Sequence, residues 1–469
     1  MSAYFVKKMD LAQDAVILPI HICRSGEVEG FLDTLTLPQK KYLTAHKFTA
    51  EAGQAVLVPG VDGELALVAF GAGKDNGFAN SSVRTGTLAQ NLAAGIYKIV
   101  RVPADWDATL MAISWGMGAY TFSKYLKKKP IPPTLVLDEQ MSADETIALV
   151  RAVHNGRDYI NTPAGDMGPV ALHKVAQNLA DRFDAKLTAI VGDDLLVENY
   201  PMLHAVGRAA HEAPRLVEIM WGDESHPCLS IVGKGITFDT GGLNIKGGGG
   251  MRIMKKDMGG AAHALALAEM IMANNLPVRL HVLLAIAENA ISANAFRPGD
   301  VLPSRKGLNV EIDNTDAEGR LVLGDALTKA SETKPDLLID FATLTGAARV
   351  ALGPTLAPFF SNRSAPVQSL LKTGETQEDP FWHMPLWAPY MNFLSSPIAD
   401  MKNSGGGFAG CITAALFLEK FIGEGQNWMH FDVYGWNPTT TPAHPKGGEI
   451  MVVRAVYHWI KNGGLNDLT

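Results

Sequence analysis

The sequence predicts an α/β fold in which a small N-terminal α/β domain precedes a larger C-terminal domain with a mostly parallel central sheet flanked by helices. The chain has 469 residues, which is more than one domain usually contains. Strand-like runs alternate with helix-periodic segments in both halves. In the second half, charged and glycine-rich segments follow strand-like runs, where open parallel sheets bind their ligands. We therefore predict domains at residues 1–140 and 163–469, joined by a linking helix at 141–162.

The N-terminal domain is predicted from short apolar or β-branched runs and one long helix-periodic segment. The runs at Ala15–Ile22, Ala55–Pro59 and Leu65–Phe70 predict strands, and Ser81–Val102 predicts a helix. The linking helix is predicted from the capping-box pattern at Ser142–Glu145.

The C-terminal domain is predicted from a second alternation of strands and helices. Strands are predicted at Leu187–Val191, Leu216–Trp221, Leu229–Val232, Val278–Leu284 and Leu337–Phe341. Helices are predicted at Val170–Phe183, Gly260–Ala273 and Leu321–Ser331. Such alternation favours a largely parallel sheet with helices on both faces.

The composition, 47% hydrophobic and 19% charged, is that of a folded protein. The net charge of -7 and the pI near 6.0 argue against nucleic acid as a general partner, because nucleic-acid binding relies on a basic surface. No apolar stretch is long enough for a membrane span and the N-terminus lacks a signal-peptide pattern, so we expect a cytoplasmic protein with no membrane partner. Cys23, Cys228 and Cys411 have no paired spacing, which predicts neither a disulfide framework nor a Cys-based zinc site.

Three charged segments that contain glycine carry the strongest chemical signal. They are residues 233–246, 254–260 and 314–320, and they contain Asp239, Asp257, Asp316 and Glu318. Asp316 and Glu318 are two residues apart, so their side chains would project the same way from an extended backbone. Carboxylates held close together repel one another unless a cation lies between them. Two divalent cations would neutralise the four carboxylates, and oxygen-rich sites of this kind suit Zn²⁺, Mn²⁺ or Mg²⁺.

The third segment, Asn314–Leu321 (NTDAEGRL), is similar to the signature of the leucyl aminopeptidase family, the cytosolic M17 metallopeptidases. Val232–Lys246 (VGKGITFDTGGLNIK) and Met254–Ala262 (MKKDMGGAA) match the family in order and spacing. The resemblance is strong over residues 160–350 and weak over the N-terminal domain. It implies that residues 163–469 form a metallopeptidase catalytic domain, which removes the first residue of short peptides. It also implies a homohexamer in the cytoplasm.

The resemblance assigns roles to the charged residues of these segments. The implied metal ligands are Lys234, Asp239, Asp257, Asp316 and Glu318. A lysine binds a metal only as the neutral amine, which a nearby dication favours. Lys246 matches the residue that polarises the scissile carbonyl, and Arg320 matches the residue that holds a bicarbonate ion acting as general base.

The cofactors implied by the resemblance are two divalent metal ions per subunit and bicarbonate. The ions would be Zn²⁺ or Mn²⁺, with Mg²⁺ as an alternative in one site. In the implied mechanism, a hydroxide that bridges the two metals attacks the first peptide carbonyl.

Substrate contacts are implied in two further places. Thr343, Leu344, Thr345 and Gly346 resemble the strand end through which the family binds the peptide. Met254 matches a residue that lines the pocket for the first side chain, and an ordinary core methionine is the alternative. Near the C-terminus, Tyr434 and Asn437 stand where familiar members carry small or apolar residues. A preference for leucine is therefore not implied.

Three other interpretations of the carboxylates are open. A two-metal phosphoesterase would use similar ligands, but a lysine ligand and the NTDAEGRL string favour a peptidase. Some family members also bind DNA, which the acidic balance of this chain disfavours. A relative that has lost catalysis would lack some of the expected residues, whereas all seven are present.

Overall fold

The computed structural model describes residues 4–77 and 81–468, and the chain divides into two compact units. The first unit comprises Met1–His154 and Thr439–Lys446, and the second comprises Asn155–Pro438 and Gly447–Thr469. Each unit contains a large, mostly parallel sheet with helices, so the predicted α/β class is confirmed. The predicted domain boundaries at residues 140 and 163 stay predictions.

The first unit is built on one six-stranded sheet. Its strands are β1 (Phe5–Lys7), β2 (Ile17–Arg24), β3 (Ala55–Pro59), β4 (Leu65–Gly73), β5 (Ile96–Arg101) and β6 (Thr134–Leu137). Its helices are α1 (Val28–Leu32), α2 (Leu37–Ala45), α3 (Thr85–Asn91) and α4 (Ala108–Gly118), and α5 (Ala143–Asn161) follows them. The strand order is β1-β6-β5-β2-β4-β3, and β3 pairs antiparallel with β4 while the other pairs are parallel. Helix α5 lies where the capping-box pattern predicts a helix, and its linking role stays a prediction.

The predicted helix at Ser81–Val102 is wrong in its second half. Helix α3 ends at Asn91, and Ile96–Arg101 forms strand β5 between β6 and β2. Tyr97 and Ile99 are buried while their neighbours are more exposed, which is the two-residue period of a strand. The apolar residues of two separate elements therefore gave the impression of one helical pattern.

The second unit contains the remaining elements. Its strands are β7 (Lys186–Val191), β8 (Arg215–Trp221), β9 (Cys228–Asp239), β10 (Arg279–Asn289), β11 (Val301–Pro303), β12 (Asn309–Glu311), β13 (Leu337–Ala342), β14 (Ala357–Ser361), β15 (Phe381–His383), β16 (Met401–Lys402), β17 (Trp428–Asp432), β18 (Trp436–Asn437) and β19 (Gly447–Gly448). Its helices are α6 (Pro169–Arg182), α7 (Asp194–Val197), α8 (Pro201–Gly207), α9 (Gly248–Met251), α10 (Gly259–Ala273), α11 (Gly319–Glu332), α12 (Gly346–Leu352), α13 (Ala365–Thr376), α14 (Gly410–Glu419) and α15 (Val453–Lys461). The strands and helices predicted for this region are present, with shifted ends.

The central sheet of the second unit has eight strands in the order β15-β14-β17-β13-β9-β10-β8-β7. Its four middle strands, β17, β13, β9 and β10, are parallel to one another. Their carboxyl ends therefore lie along one edge of the sheet. Asp432, Asp239 and Asn289 are the last residues of β17, β9 and β10, and Thr343 directly follows β13. Polar side chains thus gather at the edge where such sheets bind ligands.

Strand β9 is longer than predicted, and helices cover both of its faces. Val232 and Ile236 pack in a core cluster with Leu321 of α11. On the other face, a Cβ atom at Gly233 would lie 2.7 Å from the Cα atom of Ala261 in α10. Glycine is therefore required for α10 to approach this closely. Because side chains alternate along a strand, α10 and α11 lie on opposite faces of β9.

Two predictions from composition can be compared with the described residues. Cys23, Cys228 and Cys411 are buried free thiols. Within residues 4–77 and 81–468, no helix combines the length and the apolar character that crossing a membrane requires.

A buried carboxylate, that of Asp325 in α11, joins two backbone segments of the second unit to this helix. It accepts hydrogen bonds from the backbone N–H groups of Met202 at 2.8 Å, Leu203 at 3.1 Å and Arg305 at 2.8 Å. We expect Asp325→Ala to lower the free energy of unfolding by about 3 kcal/mol, because it leaves buried donors without an acceptor. Urea unfolding of the full chain measures this, with the exposed Glu424→Ala as control. Equal shifts in the two variants would contradict the assigned role.

Candidate metal centre and active-site cavity

The predicted metal ligands come from three places near the carboxyl edge of the central sheet. Asp239 ends β9, and Lys234 lies within the same strand. Asp257 lies in a 3₁₀ turn, Met254–Met258, which leads directly into α10. Glu318 is the residue immediately before α11. Strand ends and helix beginnings therefore hold these side chains.

Three of the carboxylates form a compact cluster. One oxygen from each of Asp239, Asp316 and Glu318 lies within 4.8 Å of the other two. The extended backbone expected around Asp316 is wrong, since Thr315 and Asp316 form a turn. The turn nevertheless brings Asp316 and Glu318 to the same place, because it leads directly into α11.

Lys234 joins Asp257 to this cluster. Its Nζ atom lies 2.8 Å from Asp257 Oδ2 and 3.0 Å from Glu318 Oε1. It also donates a hydrogen bond to the Thr343 carbonyl oxygen at 3.1 Å. The Lys234 side chain is only 3% exposed. The structure thus places all five predicted metal ligands around one centre.

Lys246 pairs with the two carboxylates of the centre with which Lys234 forms no ion pair. Its Nζ atom is 2.8 Å from Asp239 Oδ2 and also forms an ion pair with Asp316. The chain returns to the centre after β9 through Gly241 and Gly242, whose φ angles are 87° and 60°. These left-handed conformations favour glycine. The turn therefore positions Lys246 beside the predicted ligands.

The electrostatics of the cluster fit a divalent cation. Burial, together with the negative charge of Asp239, raises the pKa of Glu318 to about 8. Burial and the nearby Asp257 raise the pKa of Asp239 to about 6. Burial opposes the charged form of Lys246, but Asp239 outweighs it, so the pKa of Lys246 is raised. The side chains thus carry an excess of negative charge that the two lysines do not fully offset.

An orphaned oxygen gives a second reason to place a cation here. Within residues 4–77 and 81–468, no group donates a hydrogen bond to the buried Oε2 atom of Glu318. An unpaired buried carboxylate oxygen is costly unless a cation or a proton meets it. The donor set, four carboxylates and one amine, suits borderline or hard divalent ions. The residues therefore fit the predicted metal site.

The centre opens into a cavity of about 520 Å³. The cavity is lined by all five predicted metal ligands and by Lys246. It is also lined by the predicted substrate-contact residues Met254, Thr343, Leu344, Thr345 and Gly346. A cavity with a few convergent polar groups is the usual form of an active site. The loop 247–250 also lines it, and residues Gly248–Met251 form the short helix α9.

The segment that follows β13 is held by two carboxylates. Thr343 Oγ1 donates a hydrogen bond of 2.7 Å to Asp257 Oδ1. Asp432 Oδ1 accepts from the backbone N–H groups of Leu344 at 3.0 Å and Thr345 at 3.2 Å, and its Oδ2 accepts from Thr345 Oγ1 at 2.6 Å. These bonds fix the wall of the cavity relative to the carboxylate cluster.

Arg320, the predicted bicarbonate-binding residue, is not among the residues that line the cavity. It lies in the first turn of α11, and its NH1 group donates a hydrogen bond to the Asn403 carbonyl oxygen at 2.7 Å. Its Nε atom is buried, and among the described residues nothing accepts a hydrogen bond from it. Burial lowers the pKa of Arg320 to about 10.

The structure adds site residues that sequence reasoning missed. Asn289 donates a hydrogen bond of 2.8 Å from Nδ2 to Asp239 Oδ1. It lies beyond the predicted strand Val278–Leu284 and is the last residue of the longer β10. Lys256 and Arg349 line the cavity beside Tyr434. Burial lowers the pKa of Lys256 to about 8. No sequence pattern marks Lys256, Arg349 and Tyr434 as neighbours.

Asn437, expected beside Tyr434 in the pocket wall, is not among the residues that line the cavity. It is buried, and its Nδ2 atom donates a hydrogen bond of 2.5 Å to Glu449 Oε2. The amide of Asn437 is therefore paired with a buried carboxylate and does not face the cavity.

A buried carboxylate and lysine cluster that opens into a cavity at the carboxyl edge of a parallel sheet defines an α/β metalloenzyme. Residues 155–457 match the catalytic domain of the cytosol aminopeptidase family, and residues 18–138 match the M17 aminopeptidase N-terminal domain. The chain therefore belongs to the cytosol aminopeptidase family, the M17 metal-dependent aminopeptidases. The resemblance read from the sequence is confirmed.

Curated relatives and solved structures agree with this assignment. The probable cytosol aminopeptidase of Geobacter sulfurreducens is 32% identical over 459 residues, which cover 94% of this chain and 90% of the relative. The probable cytosol aminopeptidase of Streptomyces griseus is 35% identical over 467 residues, which cover 90% of this chain and 89% of the relative. The crystal structure of cytosol aminopeptidase from Coxiella burnetii has a TM-score of 0.91 and 40% identity over 98% of this chain and 99% of that chain. The bottromycin maturation enzyme BotP in complex with Mn has a TM-score of 0.87 and 29% identity, covering 96% and 100%.

Proposed function

We propose that this aminopeptidase hydrolyses the N-terminal peptide bond of short peptides with two divalent metal ions held by Lys234, Asp239, Asp257, Asp316 and Glu318. The observation that carries the proposal is the convergence of these five side chains in one cavity, with the Glu318 Oε2 atom left without a hydrogen-bond donor among the described residues. The BotP structure in complex with Mn supports Mn²⁺ as one of the ions. Zn²⁺ is the other main candidate, and Mg²⁺ fits one of the two sites.

Divalent ions bound here would supply a water of lowered pKa and a positive charge for the free amino group of the substrate. The side chains of the protein would bind and orient the peptide. Lys246 lines the cavity beside Asp239 and Asp316, so its ammonium group can donate a hydrogen bond to the oxygen of the scissile carbonyl. Such a donor stabilises the negative charge that develops on this oxygen.

Arg320 is proposed to hold a bicarbonate ion, which would act as general base. The buried Nε atom, without an acceptor among the described residues, leaves a donor for an anion. The bond from NH1 to the Asn403 carbonyl fixes the orientation of the guanidinium group.

The peptide is proposed to contact Met254, Thr343, Leu344, Thr345 and Gly346. All five line the same cavity as the metal ligands. Met254 begins the 3₁₀ turn that carries Asp257, which favours contact with the first side chain of the peptide. We further propose a homohexamer in the cytoplasm. The relatives named as cytosol aminopeptidases support this location.

A comparison of three substrates tests the proposal. We expect the metal-loaded protein to release leucine from Leu-Ala-Ala, and to leave N-acetyl-Leu-Ala-Ala and phenyl phosphate intact. The acetyl group removes the free amine on which aminopeptidase specificity depends. Glu318→Gln, purified in the same way, is the control for contaminating peptidases and should be inactive. Faster cleavage of the phosphate ester would favour the two-metal phosphoesterase instead.

A further inference from the structure

Lys256 is a buried lysine in the cavity with no assigned role. It lies in the 3₁₀ turn between Met254 and Asp257, and its residue is only 5% exposed. The nearest carboxylate oxygen, Asp257 Oδ1, lies 3.9 Å from its Nζ atom, which is beyond hydrogen-bond range. Within the described parts of the chain, no group accepts a hydrogen bond from this ammonium. Burying a charge without a partner is costly, so the site is suited to an acceptor from outside the chain.

Asp257 and Asp432, the carboxylates whose charges act on Lys256, already have other partners. Asp257 Oδ1 accepts a hydrogen bond from Thr343, and Asp257 Oδ2 pairs with Lys234. Asp432 accepts from the backbone of the segment after β13 and from Thr345 Oγ1. Two dications at the proposed metal centre would neutralise its four carboxylates. The charge of Lys256 is therefore not needed to balance that centre.

A second cation faces the same part of the cavity. The Arg349 guanidinium lies 4.6 Å from the centre of the Tyr434 ring, and Lys256 Nζ lies 5.3 Å from it. All three residues line the cavity. Among the described residues, no carboxylate forms an ion pair with Arg349. The ring holds the two cations near each other, because both are attracted to the π-electrons.

We propose that Lys256 and Arg349, positioned by Tyr434, bind the side-chain carboxylate of an acidic first residue, so that glutamyl and aspartyl peptides are preferred substrates. This inference rests on the proposed function. The first side chain is favoured as the ligand because Lys256 belongs to the turn that also carries Met254 and Asp257. Met254 is proposed to contact the first side chain, and Asp257 to hold a metal. The C-terminal carboxylate of a dipeptide has the same chemistry and is the competing source.

Matched substrates distinguish the two carboxylates. Glu-Ala-amide and Gln-Ala-amide have nearly the same shape but differ in the charge of the first side chain. Gln-Ala and Gln-Ala-amide differ only at the C-terminus. At neutral pH we expect kcat/KM for Glu-Ala-amide to exceed that for Gln-Ala-amide by roughly tenfold or more, the effect of hydrogen bonds to a charged group.

Substitutions test whether the two cations cause this preference. Lys256→Met and Arg349→Gln should each bring the Glu-to-Gln ratio towards one. Arg349 is exposed, so its variant tests the proposal even if the buried Lys256→Met does not fold. Lys255→Met is the matched control, because Lys255 is the adjacent lysine, donates to the Asn161 carbonyl and is not among the residues lining the cavity. It should leave the ratio unchanged.

The outcomes separate this inference from the proposed function. Hydrolysis of Leu-Ala-amide with a Glu-to-Gln ratio of one or less in the unmodified protein would overturn the acidic preference alone. A ratio that persists in both variants would do the same. If the variants change only the ratio of Gln-Ala to Gln-Ala-amide, the cations bind the C-terminal carboxylate and the assignment to the first side chain is wrong. Failure to hydrolyse any of these peptides would overturn the proposed function as well.

Discussion

Removal of divalent metal ions with a chelator is expected to reduce peptide hydrolysis to near background, and addition of Mn²⁺ or Zn²⁺ should restore it. One carboxylate oxygen from each of Asp239, Asp316 and Glu318 lies within 4.8 Å of the other two, and Asp239 and Glu318 are buried. A dication held by these carboxylates would lower the pKa of a water molecule and so supply hydroxide near neutral pH. The measurement is release of leucine from Leu-Ala-Ala before chelation, after dialysis and after each single metal is added back.

Binding of the metal itself gives an independent readout. A ligand that binds the folded state raises its stability, so Mn²⁺ or Zn²⁺ should raise the melting temperature of the unmodified protein. The rise should be smaller for Glu318→Gln, because this variant lacks one of the proposed ligands. A protein shown by elemental analysis to be free of metal and yet fully active would disprove the proposed mechanism.

The carboxylate cluster could be predicted from sequence because its residues lie in short segments with unusual composition. Asp239 ends strand β9 and Asp257 lies just before helix α10, and both elements have a clear periodicity in the sequence. The central strands of the sheet are parallel. In that topology, residues at strand ends and helix beginnings meet at one edge. The extended backbone predicted around Asp316 is nevertheless wrong, since a turn brings this residue to Glu318.

Lys256 and Arg349 are not revealed by the sequence, because their meeting with Tyr434 depends on long-range contacts. Lys256, Arg349 and Tyr434 come from a 3₁₀ turn, from α12 and from the segment after β17. Nothing in their local sequences specifies that they meet, because their proximity is set by the packing of three separate elements. Asn437 illustrates the reverse case. It is three residues from Tyr434 but is bonded to Glu449, so nearness in sequence did not predict a shared site.

Errors in secondary structure have a related cause. The apolar residues of Ser81–Val102 recur with a helical period, but Ile96–Arg101 pairs with β2 and β6 as strand β5 in the middle of a sheet. Pairing with neighbouring strands can override the local preference of a segment for a helix. Strand β9 was predicted too short because its glycines suggested a loop. Gly233 instead allows α10 to pack closely against the strand.

Lys246→Ala is expected to lower kcat by about 100-fold or more, with a smaller change in KM, because an oxyanion donor acts mainly in the transition state. Lys246 lies among the proposed ligands, 2.8 Å from Asp239 and paired with Asp316. A loss of activity could therefore arise from weaker metal binding as well as from the missing donor.

Measurement of metal content separates these two causes. If Lys246→Ala retains its metal ions and loses kcat, the ammonium group acts on the substrate. Lys255→Ala is the matched control, since it also removes a lysine but not one of the residues lining the cavity. Lys246 has no part in the reaction if its variant holds the same metal and turns over at the rate of the unmodified protein. A role in catalysis requires that kcat falls while the ions stay bound, since a residue that only balances the charge of Asp239 and Asp316 would become dispensable once two dications are present.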